Sequence, residues 1–164
     1  MKKIGLLSDT HGIIIPEVYT FFEASDEIWH AGDIGNPETL DELRLFKPVR
    51  AVWGNIDNHI VRSDVPEFRR FVIEGVDVLM THIGGYPGHY TQIITRVMKA
   101  HPPKLFISGH SHILRVMFDK KYNCLHINPG AAGNHGFHNN ITMVRFEIDG
   151  AIIKNLEVFD KSRS

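Results

Sequence analysis

The order of hydrophobic patterns along the chain is what most tightly limits its fold. Short apolar runs rich in branched residues at Ile4–Leu7, Glu27–Trp29, Val49–Trp53, Phe71–Ile73, Val76–Met80 and Leu105–Ile107 read as strands. A few helical patterns alternate with them. Pro16 suits a first helical turn, and Val18, Phe21 and Phe22 fall on one helix face. Asn36 is placed to cap a helix that starts at Pro37 and presents Leu40, Leu43 and Phe46. A further helix runs from Thr91, with Ile94, Val97 and Met98 on its inner face, until Pro102 and Pro103 stop it. The last third changes character. Val116–Phe118, Leu125–Ile127, Ile141–Ile148 and Ala151–Val158 read as successive strands, the final two joined at Asp149-Gly150 with type I′ hairpin chemistry. Lys161–Ser164 reads as a frayed tail. An αβ first half running into an antiparallel second half fits two sheets packed face to face with helices outside, an α/β (α+β) sandwich. A single doubly wound sheet would leave the C-terminal strands without a place.

Composition narrows the function. A chain of 164 residues is expected to form one domain, residues 1–164, able to bury a sizeable core without disulfide staples. Its one cysteine, Cys124, excludes an intrachain disulfide framework and fits a reducing compartment. Eighteen basic and nineteen acidic residues give a net charge of -1, so nothing drives the chain toward nucleic acid or acidic lipid. No apolar run approaches the roughly 18 residues of a membrane span. The expectation is a soluble cytoplasmic protein. Eleven histidines are unusual, and histidine is the commonest metal ligand.

Placement gives the histidines their meaning. Five predicted strands each end in a residue able to bind metal: Asp9 and His11, then Asp33, Asn55, His82, and finally His110 and His112. An Asp-x-His match by itself carries little information, since Asp57-Asn58-His59 matches as well. The crevice beyond the carboxyl ends of strands, however, is where α/β sheets bind ligands. Aspartate, asparagine and histidine supply oxygen and nitrogen donors suited to Mn, Fe, Zn or Ni without soft thiolate. Two cations about 3.5–4 Å apart can bind both a hydroxide nucleophile and the oxygens of a phosphate ester.

Asp9-x-His11, Gly32-Asp33, Gly54-Asn55, His82 and Gly109-His110-x-His112, in this order, resemble the five-motif pattern of the calcineurin-like metallophosphoesterases. The length and the closing Asn128-Pro129-Gly130 are similar to the small bacterial and archaeal phosphodiesterase branch. The resemblance implies a four-layer fold, a β-sandwich flanked by helices. It implies one cation on Asp9, His11 and His112, another on Asn55, His82 and His110, and Asp33 bridging them. The cations would be two divalent transition-metal ions, Mn first, with Zn, Fe or Ni as alternatives. The implied chemistry is phosphodiester hydrolysis, with a metal-bridging hydroxide attacking phosphorus in line. Asn55 would also touch substrate.

Two departures from the family pattern stand out. Many superfamily members carry a histidine after the Gly-Asn pair as leaving-group acid, and here Ile56 stands in its place. His59 and His89 are the substitutes within reach in the sequence, while Asp57 would orient the loop or a metal-bound water. Second, a glycine-rich segment, Ile83 to His89, follows His82, and Tyr86 within it is a candidate substrate contact. His30 reads as a support behind the ligands, whereas His101 and His126 read as ordinary surface or half-buried residues and Cys124 as inert packing. The expected partner is a small phosphate-ester substrate, with no specific nucleic acid and no membrane, and a homo-oligomer is left open. The alternative is a metal-binding interaction scaffold of the same fold with little or no catalysis.

Overall fold

The computed structural model describes residues 1–163. Ten strands form two five-stranded sheets. The first half contributes β1 (Lys2–Leu7), α1 (Glu17–Phe21), β2 (Glu27–His30), α2 (Pro37–Phe46), β3 (Val49–Ala51) and α3 (His59–Asp64). Then come β4 (Phe68–Ile73), β5 (Val76–Thr81), α4 (Gln92–Ala100) and β6 (Leu105–Ile107). The chain finishes with β7 (Leu114–Asp119), β8 (Cys124–Pro129), β9 (Asn140–Asp149) and β10 (Ile152–Ser162). One sheet has the order β10-β9-β1-β2-β3 and the other β4-β5-β6-β8-β7. Within them β1, β2 and β3 run parallel, as do β5, β6 and β8, while β9, β10, β4 and β7 add antiparallel edges.

Strand alternation builds the layers. Ile4 and Leu6 of β1 and Trp29 of β2 face Val78, Met80, Leu105, Ile107 and Ile127 from the other sheet, all buried in one core. Leu7 and Ile28, on the opposite face of the first sheet, pack under Val18 and Phe22 from the α1 region and Leu43 of α2. On the far side of the second sheet, Leu79, Phe106 and Cys124 meet Ile94 and Met98 of α4. The result is helices, sheet, sheet, helix, the four layers expected. Caps match the sequence. Asn36 accepts from Thr39 N ahead of α2, and Thr91 accepts from Ile94 N ahead of α4. No helix among the described residues is long and apolar enough to cross a membrane.

Several details differ from expectation. Helix α3 stands where the sequence pattern predicts no helix; Asn58 caps it, accepting from Ile60 N and Val61 N. β3 ends at Ala51, so Trp53 lies beyond it, bonded from its N–H to Pro66 O. The β9–β10 loop is Gly150-Ala151, one residue later than predicted, because Asp149 pairs with Ile152. Gly150 has φ +60° and Ala151 is not left-handed, the pattern of a type II′ turn, not type I′. Lys161 and Ser162 are strand residues paired with Ile141 and Asn140, so they are no frayed tail; Ser164 lies outside the described residues. His126 is fully buried, not a surface or half-buried group: its Nδ1 donates to Phe106 O, and burial pushes its pKa down to about 4.

Candidate metal centre

The parallel strands bring their carboxyl ends to one place. Backbone bonds tie the loops there: Asp9 N to Gly32 O (2.9 Å), His11 N to Asp33 O (3.1 Å) and Gly109 N to His82 O (2.9 Å). The chain passes this region under strain. Asp9, His11, Asp33, His110 and His112 all have φ between +50° and +72°, the left-handed region that residues other than glycine seldom adopt. Such strain persists only where surrounding contacts over-determine it, and it gathers at functional sites.

Two groups of donors result. Ligand atoms of Asp9, His11 and His112 lie within 4.8 Å of one another, as do those of Asp33, His82 and His110. His11 Nε2 is 3.5 Å and His82 Nε2 3.3 Å from Asp33 Oδ2, so Asp33 stands between the groups. His112 Nε2 is 3.1 Å from Asp9 Oδ1. Asn55 Oδ1 accepts from His110 Nδ1 at 3.0 Å, at the exposed rim. All seven predicted ligand positions therefore converge.

Neighbouring groups fix which atom each ligand offers. Ser8 Oγ donates to Asp9 Oδ2 at 2.6 Å and His110 N bonds the same oxygen at 3.2 Å, leaving Oδ1 toward the histidines. Ile56 N bonds Asp33 Oδ1, leaving Oδ2 inward. Gly54 must be glycine, because a Cβ there would sit 2.2 Å from Asp33 Oδ1. His82 Nδ1 lies 2.8 Å from Ala31 O, a pure acceptor, so it carries the proton and Nε2 offers its lone pair. Asp57 is buried and does not face the donors. It accepts from Ile34 N, Gly35 N and Gly54 N, pinning the Asp33 and Asn55 loops together. Asn128 does likewise for the third loop, donating to Gly109 O and Ser111 Oγ. His30 is the support expected: Thr10 Oγ1 donates to Ile34 O and so accepts from His30 Nε2 (2.9 Å). Burial pushes its pKa down to about 4.

Two functional neighbours escaped the sequence reading. His138 Nε2 donates to Gly133 O at 2.7 Å, so its Nδ1 accepts from His112 Nδ1 at 3.0 Å and turns His112 Nε2 toward Asp9. His135 lays its ring 5.1 Å from that of His11. Arg163 anchors their loop through Gly136 O and His138 O. The signal available was the cluster Gly133-Asn134-His135-Gly136-Phe137-His138, shortly after Asn128-Pro129-Gly130. The candidate acids fare differently. His59 opens α3 on the surface, and His89 packs 4.7 Å from the Tyr86 ring, with no ring contact to the donor groups. Tyr86 itself carries the Arg115 guanidinium 3.6 Å above its ring.

The electrostatics favour cations. Burial pushes the Asp9 carboxyl upward, but the nearness of His11, His112 and His82 and the Ser8 hydrogen bond outweigh it and hold the group far below the carboxylate range. Burial works against charge on His82, yet Asp33 and Asp9 raise its pKa. Asp9 Oδ1, His11 Nε2 and His82 Nε2 are buried without a hydrogen bond of acceptable geometry. Each such atom costs about 1–3 kcal/mol, and a cation among them would offset that cost. The donor set fits divalent transition metals.

Residues 1–151 match the calcineurin-like phosphoesterase superfamily domain, and the chain belongs to that superfamily. Its general activity is metal-dependent phosphoester hydrolysis. The chain is similar to a probable metallophosphoesterase of Methanothermobacter thermautotrophicus, 38% identical over 114 residues that cover 66% of each protein. A probable metallophosphoesterase of Methanocaldococcus jannaschii is 32% identical over 136 residues, 78% of this chain and 67% of the relative. The match thus spans about two thirds of the length of these curated relatives. Among solved structures, an archaeal phosphodiesterase superposes with a TM-score of 0.76 at 21% identity, covering 96% of this chain and 99% of that one. Wild-type Vps29 of Entamoeba histolytica complexed with zinc gives 0.72 at 16% identity, with 99% of both chains covered. At these identities the structural likeness establishes the fold, that of the metallophosphoesterases.

Proposed function

We propose that the protein hydrolyses phosphodiesters using two divalent cations, Mn first among the candidates, and that it works in the cytoplasm on a small phosphate-ester substrate. Asp9, His11 and His112 would hold one cation, Asn55, His82 and His110 the other, with Asp33 shared. The observation that carries this reading is the set of buried donor atoms without hydrogen bonds, Asp9 Oδ1, His11 Nε2 and His82 Nε2, aimed into one space beside Asp33 Oδ2. Bound cations supply Lewis-acid charge to the oxygens of the ester and of the attacking water. The chain's own residues prepare that space. Ser8 and His110 N orient Asp9, Ala31 O and His138 select the lone pairs of His82 and His112, and Asp57 braces the two loops between.

Ile56 is 45% exposed where the family's leaving-group acid stands, and it has no proton to give. General acid catalysis is worth about 10²–10⁴-fold, so reaction here depends on a leaving group that is already stable. As a phosphodiesterase, the metal-loaded protein should hydrolyse bis-p-nitrophenyl phosphate faster than p-nitrophenyl phosphate, and without an acid its rates on a diester series should fall steeply as leaving-group pKa rises. A faster monoester reaction would overturn the diesterase assignment, and a flat series would overturn the missing acid. The scaffold reading has less support, because all seven donor positions keep a usable ligand.

A further inference from the structure

Ile83 separates two clefts beside the metal centre. One, of about 200 Å³, is lined by Tyr86, Thr91, His110, Ser111, Arg115 and Asn128 among others. The other, of about 140 Å³, is lined by Asn55, Arg62, Glu67 and His82 among others. A phosphodiester held at the donors has two arms, and a cleft lies on each flank. Each also contains an arginine stacked on an aromatic ring, Arg115 on Tyr86 and Arg62 on Trp53 (4.0 Å).

The arginines differ in what they have left to offer. Arg62 is engaged, donating from Nε to Asp57 O (2.7 Å) and from Nη2 to Asn55 O (3.3 Å), and Glu67 shares its cleft. The Arg115 side chain makes no hydrogen bond or ion pair among the described residues, and no carboxylate lines its cleft. By contrast Arg44, Arg50, Arg70 and Arg145 are each matched to an acid. Arg115 is also held in place. Tyr86 opens a turn closed by His89 N to Tyr86 O (2.8 Å), and Thr91 N to Gly84 O and Ser108 Oγ to Gly85 O brace the loop behind it. The Ser111 hydroxyl accepts from Asn128 Nδ2 and Ile113 N, so its own proton remains to be donated into the cleft.

We infer that this cleft is an oxyanion subsite: Arg115, positioned by Tyr86 and assisted by Ser111, binds a second anionic group carried on one arm of the phosphodiester. A fixed guanidinium fork without an acid partner suits a phosphate or carboxylate. The inference rests on the phosphodiesterase reading, and on a substrate that reaches from the donor groups past His110.

The test uses three p-nitrophenyl phosphodiesters whose second arm is ethyl, 2-carboxyethyl or 2-phosphoethyl. Wild type should favour at least one charged arm over ethyl by about tenfold or more in kcat/KM, mainly through KM, the scale of a charge-assisted contact. Arg115→Gln should collapse that ratio, and Arg115→Lys should restore part of it. The faster charged arm identifies which oxyanion the cleft prefers. Alongside, metal-free protein is titrated with inorganic phosphate while the Arg115 Nε–H signal is followed by NMR, and a saturable shift is expected. A ratio near one in wild type, or one that Arg115→Gln leaves intact, overturns the subsite. If wild type cleaves none of the three, the phosphodiesterase reading fails. The titration then decides the subsite alone: a saturable shift supports it and an unmoved signal overturns it.

Discussion

The two donor groups differ in what stands behind them. Asp9, His11 and His112 are backed by a loop outside the strand-end motifs. His138 fixes the His112 proton, its far nitrogen ends on the Gly133 carbonyl, and His135 covers His11. Asp33 and His82 of the second group are buried, but His110 and Asn55 are exposed and hydrogen bond only to each other through their side chains. The two clefts also adjoin this second group and not the first. A group braced from behind keeps its geometry, whereas one open at the rim can change partners when substrate arrives. With two cations bound as proposed, the first group would retain its cation and the second would change partners during turnover.

The most damaging change should fall on the residue both groups share. Asp33→Asn keeps the shape but removes the charge between them. Diester hydrolysis should drop by at least about a hundredfold, the scale of losing one preorganised electrostatic group, and both cations should bind more weakly. Isothermal titration with Mn beside the rate assay checks this. Unaltered binding of either cation would mean that Asp33 serves one group only.

The contrast between the groups is sharpened by His138→Phe. Losing a partner that orients a metal-bound histidine typically costs about 10–100-fold in affinity. The first-group step of a Mn titration should weaken by that amount while the second holds. Equal weakening of both steps would mean that the two groups are supported alike.

Why the proposed donor positions could be read from the sequence and the loop behind them could not follows from where each is encoded. The seven donors sit one to five residues beyond the ends of branched apolar strands, so strand prediction and ligand chemistry converge on the same loops. Helices α2 and α4 announced themselves through Asn36-Pro37, Thr91 and apolar periodicity. Helix α3 has six residues and buries only Val61, too little for a periodic signal. His135 and His138 follow no strand, and their loop is held by Arg163 from the far end of the chain. That contact depends on the β9–β10 hairpin, whose pairing carries Arg163 back beside Asn139, and no local pattern within residues 133–138 encodes it. The same pairing drew Lys161 and Ser162 into a strand.

The smallest effect expected is on stability, and each sheet contributes one buried histidine to it. His30 and His126 are buried neutral, each with its pKa pushed down to about 4. Between about 6.5 and 4 the unfolded chain binds protons that these groups refuse in the folded state. Each therefore removes stability as pH falls through that window, by at most about 3 kcal/mol at 1.36 kcal/mol per pKa unit. Urea unfolding in chelator should show that His126→Phe becomes less acid-sensitive than wild type across this range. Parallel pH profiles for the two would contradict the assignment of a buried neutral imidazole.

The central claim is that the strained loops gather seven donors to hold two cations around one carboxylate, and counting the metal tests it most directly. Protein purified without chelator, loaded with Mn and desalted, should retain close to two equivalents per chain by elemental analysis. Removing one equivalent with a graded chelator should abolish diester hydrolysis. Full activity at a firm limit of one equivalent would contradict the account.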